Sequence, residues 1–400
     1  MEPDITTRDV AANQAILLGG TNSFPPISQL PTELLIAILQ LSLPEIHLRS
    51  RYAALNLGFR MKRLYTMRAV TKRWQQVIDG TPSFWTIIVS TLPLHVNEKS
   101  ILRSSDLPLS LIYDDTRLVG PPNHPSDTFF KLVQHSRLRW AALAMSLDDP
   151  GILSDYVAAT LPLLHTIILR ISRPHGFHSE PRELLGGHTT NLRVVYLEGV
   201  SSPWLVGSFV QLKSLTLKNL AHATLTGGQL LDAIRASPGL QVLKLSGMTT
   251  VIPPPSRTIT LHHLRYISLV SCATDLVECI FRQVRAPSCT RLRLSIGYEQ
   301  EIDAPRFLNE TLKPFHHILS SIHRRLGGSV VPLDTGGFEW YTPDYSELDG
   351  FLILIHCMLD PSCISWIDSI LQDEPGLRVY FEHDFPSSDD LLRSVAPMRS

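Results

Sequence analysis

The chain has 400 residues, 44% of them hydrophobic and only 18% charged, with a formal net charge of −1. That length allows two to four domains at roughly 100–200 residues each, and the composition excludes a coiled coil or a long solvating tail. Prolines (29) outnumber glycines (22), so many short elements are expected in place of a few long ones. The near-zero total hides segregation: residues 27–90 carry +5, residues 138–298 carry +6 and residues 331–400 carry −10. Such asymmetry bears on partners and not on fold.

The N-terminus has Glu2 and Asp4 where a signal peptide has Lys or Arg, and its apolar run at 15–18 is too short for a signal core. The longest apolar stretch, 351–359, is about half of the ~20 residues a transmembrane helix needs. Five cysteines (Cys272, Cys279, Cys289, Cys357, Cys363) are odd in number and lack the paired CxxC spacing of zinc sites. They read as reduced, buried thiols. The expectation is a cytoplasmic or nuclear protein with no membrane partner. A pI near 7.0 gives no sign of a nucleic-acid binder.

Residues 1–26 lack periodicity and end in Pro25-Pro26, which predicts a flexible lead. A helix is expected from Pro31-Thr32, because Pro suits a first turn and Thr can cap free N–H groups. Leu34, Leu35, Ile38 and Leu39 are predicted to share one face, with Leu41 adding to it. A second helix is predicted over 62–79, where Leu64, Met67, Val70, Trp74, Val77 and Ile78 recur at spacings of three and four. Gly80 and Pro82 stop it. An apolar, strand-like run follows over 84–89.

The ordered set Leu30-Pro31-Thr32-Glu33-Leu34-Leu35, then Met67-Arg68-Ala69-Val70-Thr71-Lys72-Arg73-Trp74, then Pro82-Ser83-Phe84-Trp85 resembles an F-box. The match covers about 60 residues. It departs from the family pattern at Thr71, where Cys is common, and in a polar insertion at about 43–62. Similar insertions occur in the expanded F-box families of mushroom-forming fungi. The resemblance implies an adaptor that docks on the Skp subunit of a cullin–RING ubiquitin ligase. By position in the motif, Leu30, Pro31, Leu34, Ile38, Val70 and Trp74 would contact or support that subunit. A helical piece this small is marginal as an independent core and leaves apolar surface for a partner to cover. Read singly, each of these side chains could equally face the chain's own core.

A phrase of the form apolar-x-x-apolar-x-apolar recurs from Leu138, Leu164, Leu192, Leu212, Leu240, Leu264 and Cys289, at intervals of 20 to 28 residues. Helix candidates lie between the phrases at 126–135, 152–160, 229–236 and 275–285. A strand and a helix repeated with this period predict a solenoid with parallel strands. The pattern resembles irregular leucine-rich repeats, but the ninth position, normally Asn or Cys, is Val200, Leu220, Met248 and Cys272.

Period-two alternation buries the first, fourth and sixth phrase positions and turns the third, fifth and seventh outward. An aromatic set (Trp140, Tyr196, Tyr266) and a basic set (Lys218, Lys244, Arg291, Arg293) would then share a face. Aromatic and Arg side chains are common anchors. The face is expected to bind a protein target, acidic or phosphorylated; ordinary strand-surface polarity explains the same residues equally well.

Past 300, a helix is predicted over 304–325 and strands at 338–341, 351–356 and 377–381, with Asp360 capping a helix through Leu371. No Gly-rich phosphate loop, zinc-protease, hydrolase or paired-CxxC motif occurs. No catalytic residues, metal site or cofactor are expected. The fold class expected is α/β: a small all-helical F-box over 27–90, a strand–helix solenoid over 91–300, C-terminal repeats and a cap over 301–385, and a tail over 386–400. The function expected is a substrate-recognition adaptor of a Skp–cullin–F-box ligase, not itself an enzyme. The alternatives are a repeat scaffold without ligase association and an enzyme with a pocket at the junction between the repeats and the C-terminal region.

Overall fold

The computed structural model describes residues 27–50, 53–115, 126–148, 161–172, 191–200, 209–220, 226–249 and 258–296, with the strands at 329–332, 338–341 and 350–355. The predicted helices at 152–160, 304–325 and 360–371, the strand at 377–381 and the cysteines Cys357 and Cys363 lie outside these residues.

Pro31 stands at the N-cap of α1 (Thr32–Ser42) in an extended conformation and makes no side-chain cap. Thr32 is therefore the first helical residue and not the cap. The apolar residues of α1 divide between two faces. Leu35 and Leu39 are fully buried, whereas Leu34, Ile38 and Leu41 are exposed. The helix expected over 62–79 is two helices, α2 (Ala53–Arg68) and α3 (Lys72–Gly80). Thr71 separates them: its hydroxyl accepts from the Trp74 N–H at 3.1 Å, a cap of the kind Ser and Thr supply. Much of the expected polar insertion is thus the first half of α2. Its small and long apolar residues (Ala54, Leu57, Met61, Leu64) repeat every three or four positions and are buried.

Residues 82–85 form a 3-10 turn and not strand. Trp85 is fully buried there, its indole N–H donating to the Ile78 carbonyl at 2.9 Å. The first strand, β1, is Ile87–Val89. Asn97 on α4 (Leu94–Arg103) is fully buried, and its side chain both donates to the Val89 carbonyl and accepts from the Val89 N–H. This amide closes off part of the sheet's edge strand.

The sheet then runs in chain order through β2 (Leu109–Asp114), β3 (Trp140–Leu147), β4 (Thr166–Ile171), β5 (Val194–Glu198), β6 (Ser214–Lys218) and β7 (Val242–Ser246). The short β8 (Ile259–Thr260) pairs instead with β10 (Val284–Arg285). Next in the large sheet come β9 (Tyr266–Val270) and β11 (Arg291–Ile296), then β14 (Gly350–Ile355), β13 (Phe338–Tyr341) and β12 (Ser329–Pro332). Every pairing from β1 to β14 along this order is parallel, and the last two are antiparallel. Among the described residues the protein is therefore α/β with one twelve-stranded, largely parallel sheet.

All seven repeat phrases lead into strands of this sheet. Helices α5 (Ser126–Gln134), α6 (Gly227–Arg235) and α7 (Thr274–Gln283) match three of the predicted intervals. Thr226 and Gln229 form a capping box that opens α6. One sheet face and these helices share a core containing Phe129, Leu169, Leu217, Leu245, Ile280 and Leu294.

No Asn ladder orders the turns. Instead, the residue after four successive strands is left-handed: Gly199 (φ 68), Asn219 (φ 46), Gly247 (φ 61) and Ser271 (φ 51). Each donates its N–H to the neighbouring strand's end, as Gly247 does to the Val270 carbonyl at 2.9 Å. The next residues, Val200, Met248 and Cys272, turn back into the core. Among the described residues, no helix is long and apolar enough to cross a membrane.

Candidate functional site

Strand pairing lines up the sheet's other face in rows. One row reads Val89, Ile112, Ala144, Ile168, Tyr196, Thr216, Lys244, Ser268 and Arg293. Its first five members are buried in a second core together with Leu39, Leu57, Leu64, Ile78 and Trp85 of the N-terminal helices. The helices thus lie on the first five strands and cover half of the face expected to receive a target. A pair and a stack secure them. Asp79 takes two hydrogen bonds from Arg68, at 2.7 and 2.8 Å, and a 3.2 Å contact from Arg103. The Arg103 guanidinium also lies 4.5 Å from the Trp85 ring centre.

Two predicted target-binding residues are not available. Trp140 is 2% exposed and belongs to the helix-side core, its indole N–H donating to the Val133 carbonyl. The cause is a bulge. Leu109 pairs with Trp140 but Ser110 pairs with Ala142, so Ala141 is an extra residue and the alternation reverses. Leu138, the expected core position, lies in the 3-10 turn Arg137–Arg139 ahead of the strand and is exposed. Tyr196 does face the expected side, but it is buried where the N-terminal helices end.

Tyr196 sits in a polar seam. Its hydroxyl donates to Glu198 at 2.7 Å, Arg170 stacks on its ring at 4.7 Å, and Lys218 lies 5.6 Å from the same ring. Burial, then the Glu198 hydrogen bond, pushes the phenol up to about 12. Arg170 Nε is 3.6 Å from Glu198, an ion pair longer than a hydrogen bond. Arg170 also donates to the carbonyl of Arg49, in the segment before α2.

Beyond Tyr196 the face is basic and partly accessible, with Ser214, Thr216 and Ser268 buried in it. Lys218, Lys244, Tyr266 and Arg291 are half-buried and Arg293 is exposed. Tyr266 is held between two cations, with Lys244 at 4.7 Å and Arg291 at 4.8 Å from its ring centre. Among the described residues, neither Lys218 nor Lys244 has an ion-pair partner. Burial lowers the Lys244 ammonium below the ordinary lysine value. Tyr266 opposes that shift, while Arg49, Arg291 and Lys218 add to it. The presence of Arg49 in this field was not legible in the sequence, because it depends on where the N-terminal segment lies on the sheet.

The six residues of the motif resembling an F-box are placed as follows. Leu34, Ile38 and Val70 are 54%, 39% and 56% exposed, Pro31 is exposed, and Leu30 and Trp74 are half-buried. Leu34, Ile38 and Leu41 (87% exposed) are four and seven positions apart and form one stripe. Val70 precedes α3, which packs against α1, and Arg73 of α3 donates to the Leu30 carbonyl. The exposed apolar residues are thus on neighbouring elements.

Cys272 is buried, and its thiol is raised to about 11, which keeps it protonated and inert. Among the described residues, no group of three or more His, Cys, Asp or Glu is placed to hold a metal ion. Comparison of the chain with protein-family models, with curated proteins and with solved structures finds no match.

Proposed function

We propose that the chain is a substrate-recognition adaptor of a Skp–cullin–F-box ubiquitin ligase, with the F-box at 27–90 and the solenoid behind it as the receptor. The observation that carries this reading is the division of α1. Leu35 and Leu39 anchor the helix to the rest of the chain, while Leu34, Ile38 and Leu41 present an apolar stripe to solvent. A stripe of this kind costs solubility and is retained where a partner covers it. Two of its three members, Leu34 and Ile38, are positions that the F-box resemblance assigns to the Skp subunit.

The role is proximity. The chain supplies no nucleophile or general base in this reading; it holds a target near the transferring subunits and so raises its effective concentration. The N-terminal helices share a core with β1 to β5, which supports a fixed angle between docking module and receptor face.

The test is co-purification of the full chain with a Skp-type adaptor. Wild type should retain the adaptor, and Leu34→Asp with Val70→Asp should lose it while the melting temperature stays unchanged. Failure of the wild-type chain to bind any Skp-type adaptor favours a repeat scaffold without ligase association.

A further inference from the structure

We infer that the edge of the sheet at which its parallel strands begin is a docking surface for an anionic lipid bilayer. The inference goes beyond the adaptor reading and does not rest on it, because none of the residues it uses belongs to the F-box motif or to the basic strand face.

Parallel pairing gathers the starts of successive strands at one edge. From β4 to β9 the residue ahead of each strand joins a continuous backbone row. The Arg193 N–H donates to the His165 carbonyl at 2.8 Å, Lys213 to Arg193 at 2.7 Å, Gln241 to Lys213 at 2.8 Å and Arg265 to Gln241 at 2.9 Å. The row crosses four inter-strand steps, or about 19 Å. His165, Lys213 and Arg265 are exposed on it, as are His262 and His263 just ahead of β9 and Arg137 ahead of β3. Among the described residues, Arg137, Lys213 and Arg265 have no ion-pair partner. On the described turns that lead into β2 to β7, β9 and β11, Asp106 is the one acid.

Towards β2 the same edge becomes apolar. Leu107, Leu138 and Leu163 lie two or three residues ahead of β2, β3 and β4, and Leu102 begins the turn that runs from α4 to Leu107. All four are exposed, Leu138 by 63%. Arg139 fastens two of these turns together, donating to the Leu107 carbonyl at 2.8 Å and to the Ser104 hydroxyl at 2.6 Å. The His165 N–H ties the third to β3 through the Ala141 carbonyl at 2.9 Å. The leucines are therefore held in fixed places and still face water.

A row of cations beside single leucines on rigid turns is the chemistry of interfacial binding. Apolar side chains enter the acyl boundary while Lys and Arg meet anionic headgroups. Other partners fit less well. The N–H groups of the row are spent on neighbouring carbonyls, so a peptide cannot add there as a strand. Leucine is scarce among the anchors of protein interfaces. No aromatic side chain is exposed on these turns for nucleic-acid bases to stack on. Contact of this kind needs no membrane-crossing helix, and none is found among the described residues.

The test is co-sedimentation of the purified full chain with vesicles of phosphatidylcholine alone and of phosphatidylcholine with one third phosphatidylserine. The chain should bind the phosphatidylserine vesicles at least tenfold more tightly. Leu107→Ser with Leu138→Ser should weaken that binding at least tenfold with an unchanged melting temperature. Lys213→Gln with Arg265→Gln should weaken it severalfold and reduce the preference for phosphatidylserine. Leu34→Asp with Val70→Asp, which removes the Skp-facing surface, should bind vesicles as wild type does. Absence of vesicle binding, equal binding to both vesicles, or insensitivity to the leucine pair would each overturn the inference. So would loss of binding in the Leu34 and Val70 variant, or tight binding of polyglutamate that needs the same leucines, which would assign the edge to an acidic protein.

Discussion

The Arg170 guanidinium donates to the backbone carbonyl of Arg49, joining residues 121 positions apart. Arg170 is also the cation of a buried set with Glu198 and Tyr196. Removing the cation alone strands a buried carboxylate, whereas removing both charges does not. Arg170→Met is expected to destabilise the chain by about 3 kcal/mol in urea unfolding. Adding Glu198→Gln should recover most of that loss, because the Tyr196 hydroxyl can still donate to the amide oxygen. An unrecovered double variant would mean that Arg170 acts mainly by tethering Arg49.

The two faces of α1 should respond oppositely to truncation. Leu39 is fully buried, so Leu39→Ala should cost about 2–5 kcal/mol. Leu34 is 54% exposed, and Leu34→Ala should change stability by less than about 0.5 kcal/mol. Denaturant midpoints of the two variants check this directly. Equal losses would place Leu34 inside the fold.

Gly247 tests the left-handed turns. Its φ is +61°, and an added Cβ would lie 2.1 Å from the Asn219 side-chain oxygen. Gly247→Ala should lower stability by about 1–3 kcal/mol. Ser271 has φ 51 at the equivalent turn, so Ser271→Gly should be neutral or stabilising by up to about 1 kcal/mol.

Asp115 gives a pH dependence. Burial raises its carboxyl to about 6; Asp148 and Asp114 add to the shift, and the Asp148 N–H, donating at 2.8 Å, opposes it. The folded state then holds this proton more tightly than the unfolded chain, whose value is about 4. Stability from this group is present below about pH 4 and is lost as pH rises through 6. Asp115→Asn should therefore stabilise the chain at pH 7 by about 1 kcal/mol, after allowance for partial exposure, and the gain should vanish near pH 4. Thermal melts across that range decide it.

Much of the sheet was legible because its signal is local. Leu215-Thr216-Leu217 or Leu243-Lys244-Leu245 alternate within a few residues, and that alternation places them on parallel strands with the leucines inward. Strand β2 was missed because Leu109–Asp114 carries no copy of the repeat phrase; Leu109, Leu111 and Tyr113 enter one core and Ile112 the other. Trp140 was misplaced because a one-residue bulge leaves no mark in an apolar-rich phrase such as Trp140-Ala141-Ala142-Leu143. The break between α2 and α3 had a visible cause in Thr71, a strong capping residue within a helical period.

The candidate sites divide in the same way. The basic strand residues Lys244, Arg291 and Arg293 follow from parity alone, since side chains on a strand alternate whatever covers them. Their accessibility does not. Whether Tyr196 is a surface anchor or a buried seam depends on helices more than a hundred residues earlier in the chain, and so does the arrival of Arg49 beside Lys244. The prolines and the mixed charge of this 400-residue chain set short elements and a segregated surface. Packing between distant segments, which leaves no local period, decided which half of that surface the N-terminal helices cover.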